Sequence, residues 1–304
     1  MRAAFINTLT NLAETDPDIY LLTADMGFGL VEPFATRYPK QYINVGVAEQ
    51  NMIGVATGLS LEGKKVFCYS IANFPTMRCL EQIRNDVCYH NLPVCIVSGG
   101  AGLWYGGLGM SHWALEDIAM MRSLPNMAVM TPYDTASMTE KVQNIHANAK
   151  PCYLRMSRSS NNPLPSGEED SIQGKAKGYA LILSVGGRMT EIAMCASREL
   201  TKSNVANYVV AMPQIKPFNE SALAKFVRTQ PGTDIILTIE EHSRIGGLGS
   251  AVAEVLAGMK QHPPLVRLGT GDEYPSNAMS YEELLRYHHL DVDSIVKEVL
   301  DALR

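Results

Sequence analysis

Several absences narrow what this chain can be. No stretch of its 304 residues approaches the ~18 consecutive apolar residues of a membrane span. The first residues, MRAAFINTLTNLAETDPD, lack the basic start and apolar core of a secretory signal, so the expected compartment is the cytoplasm. The six cysteines, Cys68, Cys79, Cys88, Cys95, Cys152 and Cys195, form no CxxC pair, and no metal-binding spacing links them to the seven histidines. Buried, reduced thiols are expected, and no metal ligands. The formal charge of −5 is mild and the basic residues are scattered, which argues against a nucleic-acid surface or a membrane partner. Small molecules and protein partners remain.

What is present is an alternation of strand and helix patterns in an α/β chain. With 46% hydrophobic and 19% charged residues, the length suits two domains with ordinary cores. Residues 3–14 read as a helix, IYLLTAD as a strand, 26–40 as a connection, and Tyr42 to Val45 as a strand. A helix from Ala48 to about Leu61 follows, then strand KKVFCYS, a helix from Pro75 to Tyr89, and buried strand LPVCIVS. Continuous apolar strands in β-α order predict a parallel sheet covered on both faces, with ligands beyond its carboxyl ends. Residues 159–178 are rich in Pro, Gly, Ser and charge. They place a first domain at 1–165, a linker at 166–178 and a second domain at 179–304. The second has strands near YALILSV, YVVAM, DIILTIE and LVRLG, and helices near 189–202, 219–229, 249–260 and 281–302. No internal repeat is evident.

The most informative segment is INVGVAEQNMIGVATG, residues 43–58, where a strand runs into a helix with one acid, Glu49, in its first turn. The small and apolar residues from Ala48 onward leave no ordinary cation beside it. Burial would then favour a protonated or proton-sharing carboxyl, able to exchange a proton with a ring nitrogen. An exposed first-turn acid complementing the helix dipole accounts for the same residue.

This segment, extended to INVGVAEQNMIGVATGL, resembles the aminopyrimidine-binding segment of transketolases, in which a helix-borne Glu bonds the pyrimidine of thiamine diphosphate. The likeness continues through LEQIRNDVCYHNLPVCIVSGGAG, GMSHWALEDIAMMRSLPNMAVMTPYD, YLRMSRSS and TIEEHSRIGGLGSAVAEVL, and spans nearly the whole chain. It corresponds to the C-terminal portion of a one-chain transketolase, and so implies the second subunit of a split enzyme. The implied architecture is a parallel-sheet pyrimidine-binding domain followed by a smaller α/β transketolase C-terminal domain.

The resemblance assigns roles residue by residue. Glu49 would bond the pyrimidine and promote the imino form of its amino group. Phe74 would stack on that ring, with Tyr69 in reserve, and Asp25 would stand with the cofactor at the end of its strand. His112 resembles the histidine facing the reacting carbonyl, where a neutral imidazole can donate a hydrogen bond or shuttle a proton. Arg158 and Arg2 match phosphate-binding arginines. Departures are concentrated between Ser98 and His112. Gly100 and Leu108 stand where the family has a histidine and an aspartate, and Gly29 where it has a serine. Trp104, Tyr105 and Leu108 would make a more apolar, roomier substrate wall. In EEHSRIGGLGSAV, residues 240–252, Glu241 and His242 are expected to be structural.

A complete enzyme of this family also carries Gly-Asp-Gly with a later Asn to hold Mg²⁺ and diphosphate. Gly271-Asp272-Glu273 is the nearest string and reads as a turn. The diphosphate and Mg²⁺ ligands are therefore expected from an N-terminal partner subunit, in an α2β2 heterotetramer. The implied activity is transfer of a two-carbon ketol unit between sugars, with a modified or nucleotide-linked sugar among the candidate substrates. The rivals are the β subunit of a 2-oxo acid dehydrogenase and a non-catalytic scaffold.

Overall fold

Strand segments apolar at successive positions cannot leave either face of their sheet in water, and the chain folds accordingly. The computed structural model describes residues 1–159, 177–230 and 232–304. The first unit contains α1 (Arg2–Ala13), β1 (Ile19–Thr23), α2 (Glu32–Arg37), β2 (Tyr42–Asn44), α3 (Glu49–Leu61), β3 (Lys65–Ile71), α4 (Asn73–Thr76) and α5 (Leu80–Gln82). The last runs into a π-helical turn (Ile83–Cys88), followed by β4 (Val94–Gly99) and 3₁₀ turns at Gly106–Leu108 and Met110–His112. Then come α6 (Asp117–Ser123), β5 (Ala128–Met130), α7 (Thr135–Asn148) and β6 (Cys152–Met156). The second unit contains β7 (Tyr179–Val185), α8 (Gly187–Lys202), β8 (Ala206–Ala211), β9 (Gln214–Lys216), α9 (Glu220–Thr229) and β10 (Ile235–Ser243). It ends with α10 (Leu248–Ala257), β11 (Leu265–Thr270), α11 (Tyr281–Tyr287) and α12 (Val292–Ala302).

The first sheet has the order β2-β1-β3-β4-β6-β5-β9, and the second β11-β10-β7-β8. All pairings are parallel except that of β5 with β9. Along β3, Val66 and Cys68 pack with Met52 and Ile53 of α3, whereas Phe67 and Tyr69 pack with Phe5 and Leu9 of α1. The α3-side core continues through Leu181, Leu183, Ile236 and Val252, so one apolar cluster joins both sheets. On its other face, the second sheet packs Ile182, Leu237 and Ile239 with Leu103, Trp113 and Leu115 of the first unit.

The structure alters several expectations. The connection at 26–40 contains α2, and the helix expected at 75–89 is broken into α4, α5 and the π turn. The helix expected at 281–302 is two helices, divided where His289 adopts φ 57°. Strand β9, unforeseen, leaves the second unit to extend the first sheet. Five cysteines are free and buried, but Cys195 is exposed. Of the expected linker, residues 166–176 lie outside the described residues. Among the described residues, no helix is long and apolar enough to cross a membrane.

Candidate functional site

The carboxyl end of the first sheet is built by tight turns. At the end of β2, Asn44 Oδ1 accepts the backbone N–H of Asp25 (3.0 Å) and of Gly46 (3.0 Å), and its Nδ2 donates to Asp25 Oδ1 (3.3 Å). This ties Asp25, at φ 54°, to the segment leading into α3, and Gly46, at φ 73°, supplies the reversal. Glu49 begins α3 and is only 2% exposed.

The expectation that Glu49 lacks a cation is corrected. Arg78 Nη1 donates to Glu49 Oε2 at 2.8 Å. Local sequence could not reveal this, because the partner arrives from the segment after α4. Among the described residues, Glu49 Oε1 has no hydrogen-bond partner. The Arg78 guanidinium lies over the ring of Phe74, 4.7 Å from its centroid. Phe74 in turn meets His112 edge-on at 5.3 Å, and Tyr105 lies 6.3 Å beyond His112. Asn73 Nδ2 donates to the carbonyl of Ser111 (2.9 Å), fastening α4 to the loop, and Ser111 Oγ lies 3.0 Å from His112 Nδ1. Glu49, Arg78, Phe74, His112 and Tyr105 thus form a continuous row.

The other candidates lie outside this row, although Arg2 and Tyr69 are close to each other and to Tyr105. Tyr69 is buried on the α1 side of the sheet, stacked on Phe5 at 6.2 Å, and is not brought to Glu49. Burial raises its phenol above the usual range, opposed by Arg2. Arg2 is exposed, 5.5 Å over the Trp104 ring. Arg158 is exposed and lies over Tyr281 of the second unit at 4.7 Å. The expected roomier wall is also corrected at one point. Gly100 has φ 80°, and a Cβ there would fall 2.2 Å from the Tyr105 ring, so Tyr105 already fills the place a side chain at 100 would take. Leu108 is exposed.

A second polar cluster, buried between the units, escaped the sequence reading in part. Arg155 Nε donates to Asp117 Oδ2 (2.7 Å), and Nη2 donates to the carbonyls of Ala114 (3.2 Å) and Glu241 (2.9 Å). Tyr153 donates to the same Asp117 oxygen at 2.5 Å. The available signal was an arginine inside the otherwise apolar strand β6. Glu240 accepts the N–H groups of Leu248 (2.6 Å) and Gly249 (2.8 Å) at the start of α10. Burial pushes its carboxyl up to about 7, against those two bonds. His242 is neutral in this setting: Nε2 accepts from Ala119 N–H (3.2 Å) while Nδ1 donates to the Ser243 carbonyl (2.7 Å). Burial lowers its pKa to about 4. Among the described residues, no group of three or more His, Cys, Asp or Glu could hold a metal ion. A cavity of about 420 Å³, lined by Lys141, Met212, Phe218 and Phe226, lies elsewhere in the molecule.

Comparison with known proteins agrees with this two-part construction. Residues 1–163 match the family described as transketolase, pyrimidine binding domain, and residues 173–295 match transketolase, C-terminal domain. An apulose-4-phosphate transketolase subunit of Phocaeicola vulgatus is 33% identical over 310 residues, covering 100% of this chain and 97% of that protein. A 6-deoxy-6-sulfo-D-fructose transketolase subunit of Clostridium sp. (strain MSTE9) is 35% identical, covering 90% of this chain and 85% of its own. Among solved structures, one titled split gene transketolase, inactive beta4 tetramer, superposes with a TM-score of 0.82 at 35% identity, covering 99% of this chain and 97% of the other.

Proposed function

The chain belongs to the transketolase family, and from that premise we propose that it is the C-terminal component of a two-subunit, thiamine diphosphate-dependent enzyme that moves a two-carbon ketol unit between sugars. The observation carrying this reading is a buried carboxylate, Glu49, with one oxygen unpartnered beside an aromatic platform. Arg78 tests the fit. Its guanidinium is a flat nitrogen group held between the Phe74 ring and the Glu49 carboxylate, the kind of slot an aminopyrimidine would need. Being half exposed, Arg78 can yield that place without leaving a buried cation.

Bound thiamine diphosphate would supply the carbanion chemistry. The chain's own residues prepare for it. Glu49 would meet a ring nitrogen through a carboxyl oxygen, in a setting where it is only 2% exposed. Phe74 presents an apolar face, and Asp25 closes the adjacent strand ends. His112 keeps Nδ1 on Ser111 Oγ, and its Nε2, unpartnered among the described residues, serves a substrate oxygen. Tyr105 shapes the wall beside it. Arg158 and Arg2, both exposed, grip the anionic end of a modified sugar, a chemistry consistent with the phosphorylated and sulfonated sugars named for the two relatives.

The partner is an N-terminal transketolase subunit carrying the diphosphate and Mg²⁺ ligands, in an α2β2 assembly. Phe28, Val47, Met77, Leu108 and Met110 are exposed apolar side chains within a few residues of Asp25, Glu49, Arg78 or His112. Such an apolar rim suits coverage by another chain. The deciding experiment reconstitutes the pair with cofactor and Mg²⁺ and measures ketol transfer from hydroxypyruvate. Glu49→Gln should lower turnover by about 10²–10⁴-fold, the range for loss of a positioned acid–base group. Full turnover with Gln at this position would refute the catalytic assignment, and use of pyruvate alone would favour the oxo-acid dehydrogenase rival.

A further inference from the structure

The second sheet has its own carboxyl-end crevice, yet the helix starts beside it are filled from within. At α8, the N–H of Gly187 donates to Ser157 Oγ (2.9 Å) and that of Arg188 to the Arg158 carbonyl (2.7 Å). At α10, the two bonds to Glu240 occupy the equivalent place. An anion arriving at either helix would have to displace a protein group. What this end of the second domain does reach is the loop of the first.

That loop, residues 101–113, carries Tyr105 and His112. Leu103 N–H donates to Glu241 Oε2 (3.1 Å), and Tyr281 donates to Glu241 Oε1 (2.6 Å). Glu241 is 1% exposed, and both its oxygens are engaged. The approach is close enough to dictate sequence. Gly102 adopts φ 70°, and a Cβ there would stand 2.6 Å from Glu241 Oε2. A Cβ on Gly106 would stand 2.7 Å from the backbone nitrogen of Tyr281. Between these contacts the loop is closed on itself by the Gly102–Ala114 bridge and by Trp113 Nε1 donating to the Gly106 carbonyl (3.1 Å).

We propose that Glu241 is a positioning residue of the candidate active site: from the second domain, it fixes the loop that presents Tyr105 and His112. It acts on neither directly, but through its bonds to Leu103 of the loop and to Tyr281 of α11. The inference rests on the functional reading above only in supposing that the loop serves the reaction.

The chain's two tryptophans, Trp104 and Trp113, both lie in this loop, so their fluorescence reports its state without any ligand. Full-length Glu241→Ala, Glu241→Gln and Tyr281→Phe are compared by acrylamide quenching well below their melting midpoints, and by kinetics of the reconstituted pair. Ala should raise quenching severalfold and lower kcat/KM by about 10–100-fold, with cofactor affinity within about twofold of the parent. Gln should restore both, because its amide oxygen can accept from Leu103 and its amide nitrogen can donate to Tyr281. Tyr281→Phe should lie between, and it decides the matter if the Ala variant does not fold. Unchanged quenching, or a loosened loop with unchanged kcat/KM, overturns the proposal. If the parent pair itself transfers no ketol unit, the functional reading falls, while quenching still decides whether Glu241 holds the loop.

Discussion

Two carboxyl ends of parallel sheets stand side by side in this molecule, and they are finished in opposite ways. At the first sheet, Glu49 keeps one oxygen unpartnered, Arg78 is half exposed, and apolar side chains face outward. At the second, Glu240, Glu241 and His242 are all fully or almost fully buried and bonded to neighbouring elements. The difference separates polar groups left partly open from polar groups fully engaged by neighbouring elements. The two arginine–carboxylate pairs make the contrast measurable. Arg155–Asp117 and Arg78–Glu49 have bond lengths of 2.7 and 2.8 Å, yet the first arginine is 1% exposed and the second 48%.

The largest expected effect on stability is therefore at the closed end. Arg155→Met leaves the Asp117 charge buried with only Tyr153 and a backbone N–H, and should cost about 3–5 kcal/mol in denaturant unfolding. Arg78→Met also leaves a buried carboxylate, Glu49, but the partner it removes is half exposed, so the loss should be smaller, about 1–3 kcal/mol. Equal losses would erase the distinction between the two ends. Activity should order the sites differently. Glu49→Gln abolishes most turnover with little loss of stability, because the isosteric amide keeps the shape of the site.

These contrasts also explain how far the sequence could be read. Strands β1, β3, β4, β7 and β10 announce themselves as apolar runs, and Glu49 stands out as a lone acid among small residues. Their signals are local. Arg78, by contrast, reaches Glu49 across 29 positions, and nothing in either segment encodes the pairing. Arg155, inside β6, is likewise held by Asp117 and the Glu241 carbonyl, partners that come from distant segments. Strand β9 has three residues between Pro213 and Pro217, too few to show a period. The break between α11 and α12 joins a left-handed residue, His289, to an Asp291 N-cap bonded to Ser294, a start signal the 281–302 reading ran through.

The smallest expected effect concerns pH, and it tests whether the closed end is as tightly coupled as its geometry implies. Folded Glu240 holds its proton up to about 7, against an ordinary value of 4.5. Its contribution is thus fully present below 4.5 and is lost as pH rises toward 7. Folded His242 refuses a proton until about 4, against an ordinary 6.5. Its contribution is present above 6.5 and is lost as pH falls toward 4. The two trends oppose each other across the shared window, and the groups stand 3.9 Å apart, with Asp117 3.8 Å from the other ring nitrogen and Arg155 behind it. The parent melting midpoint should therefore change little between about pH 5 and about pH 6.5 on their account. Glu240→Gln removes the falling arm, so its midpoint should rise with pH across that interval, by about 2–4 °C for each kcal/mol released. His242→Gln should tilt the other way. Parallel pH profiles for the parent and both variants would mean that neither group changes its protonation on folding, and that its burial is not coupled to stability.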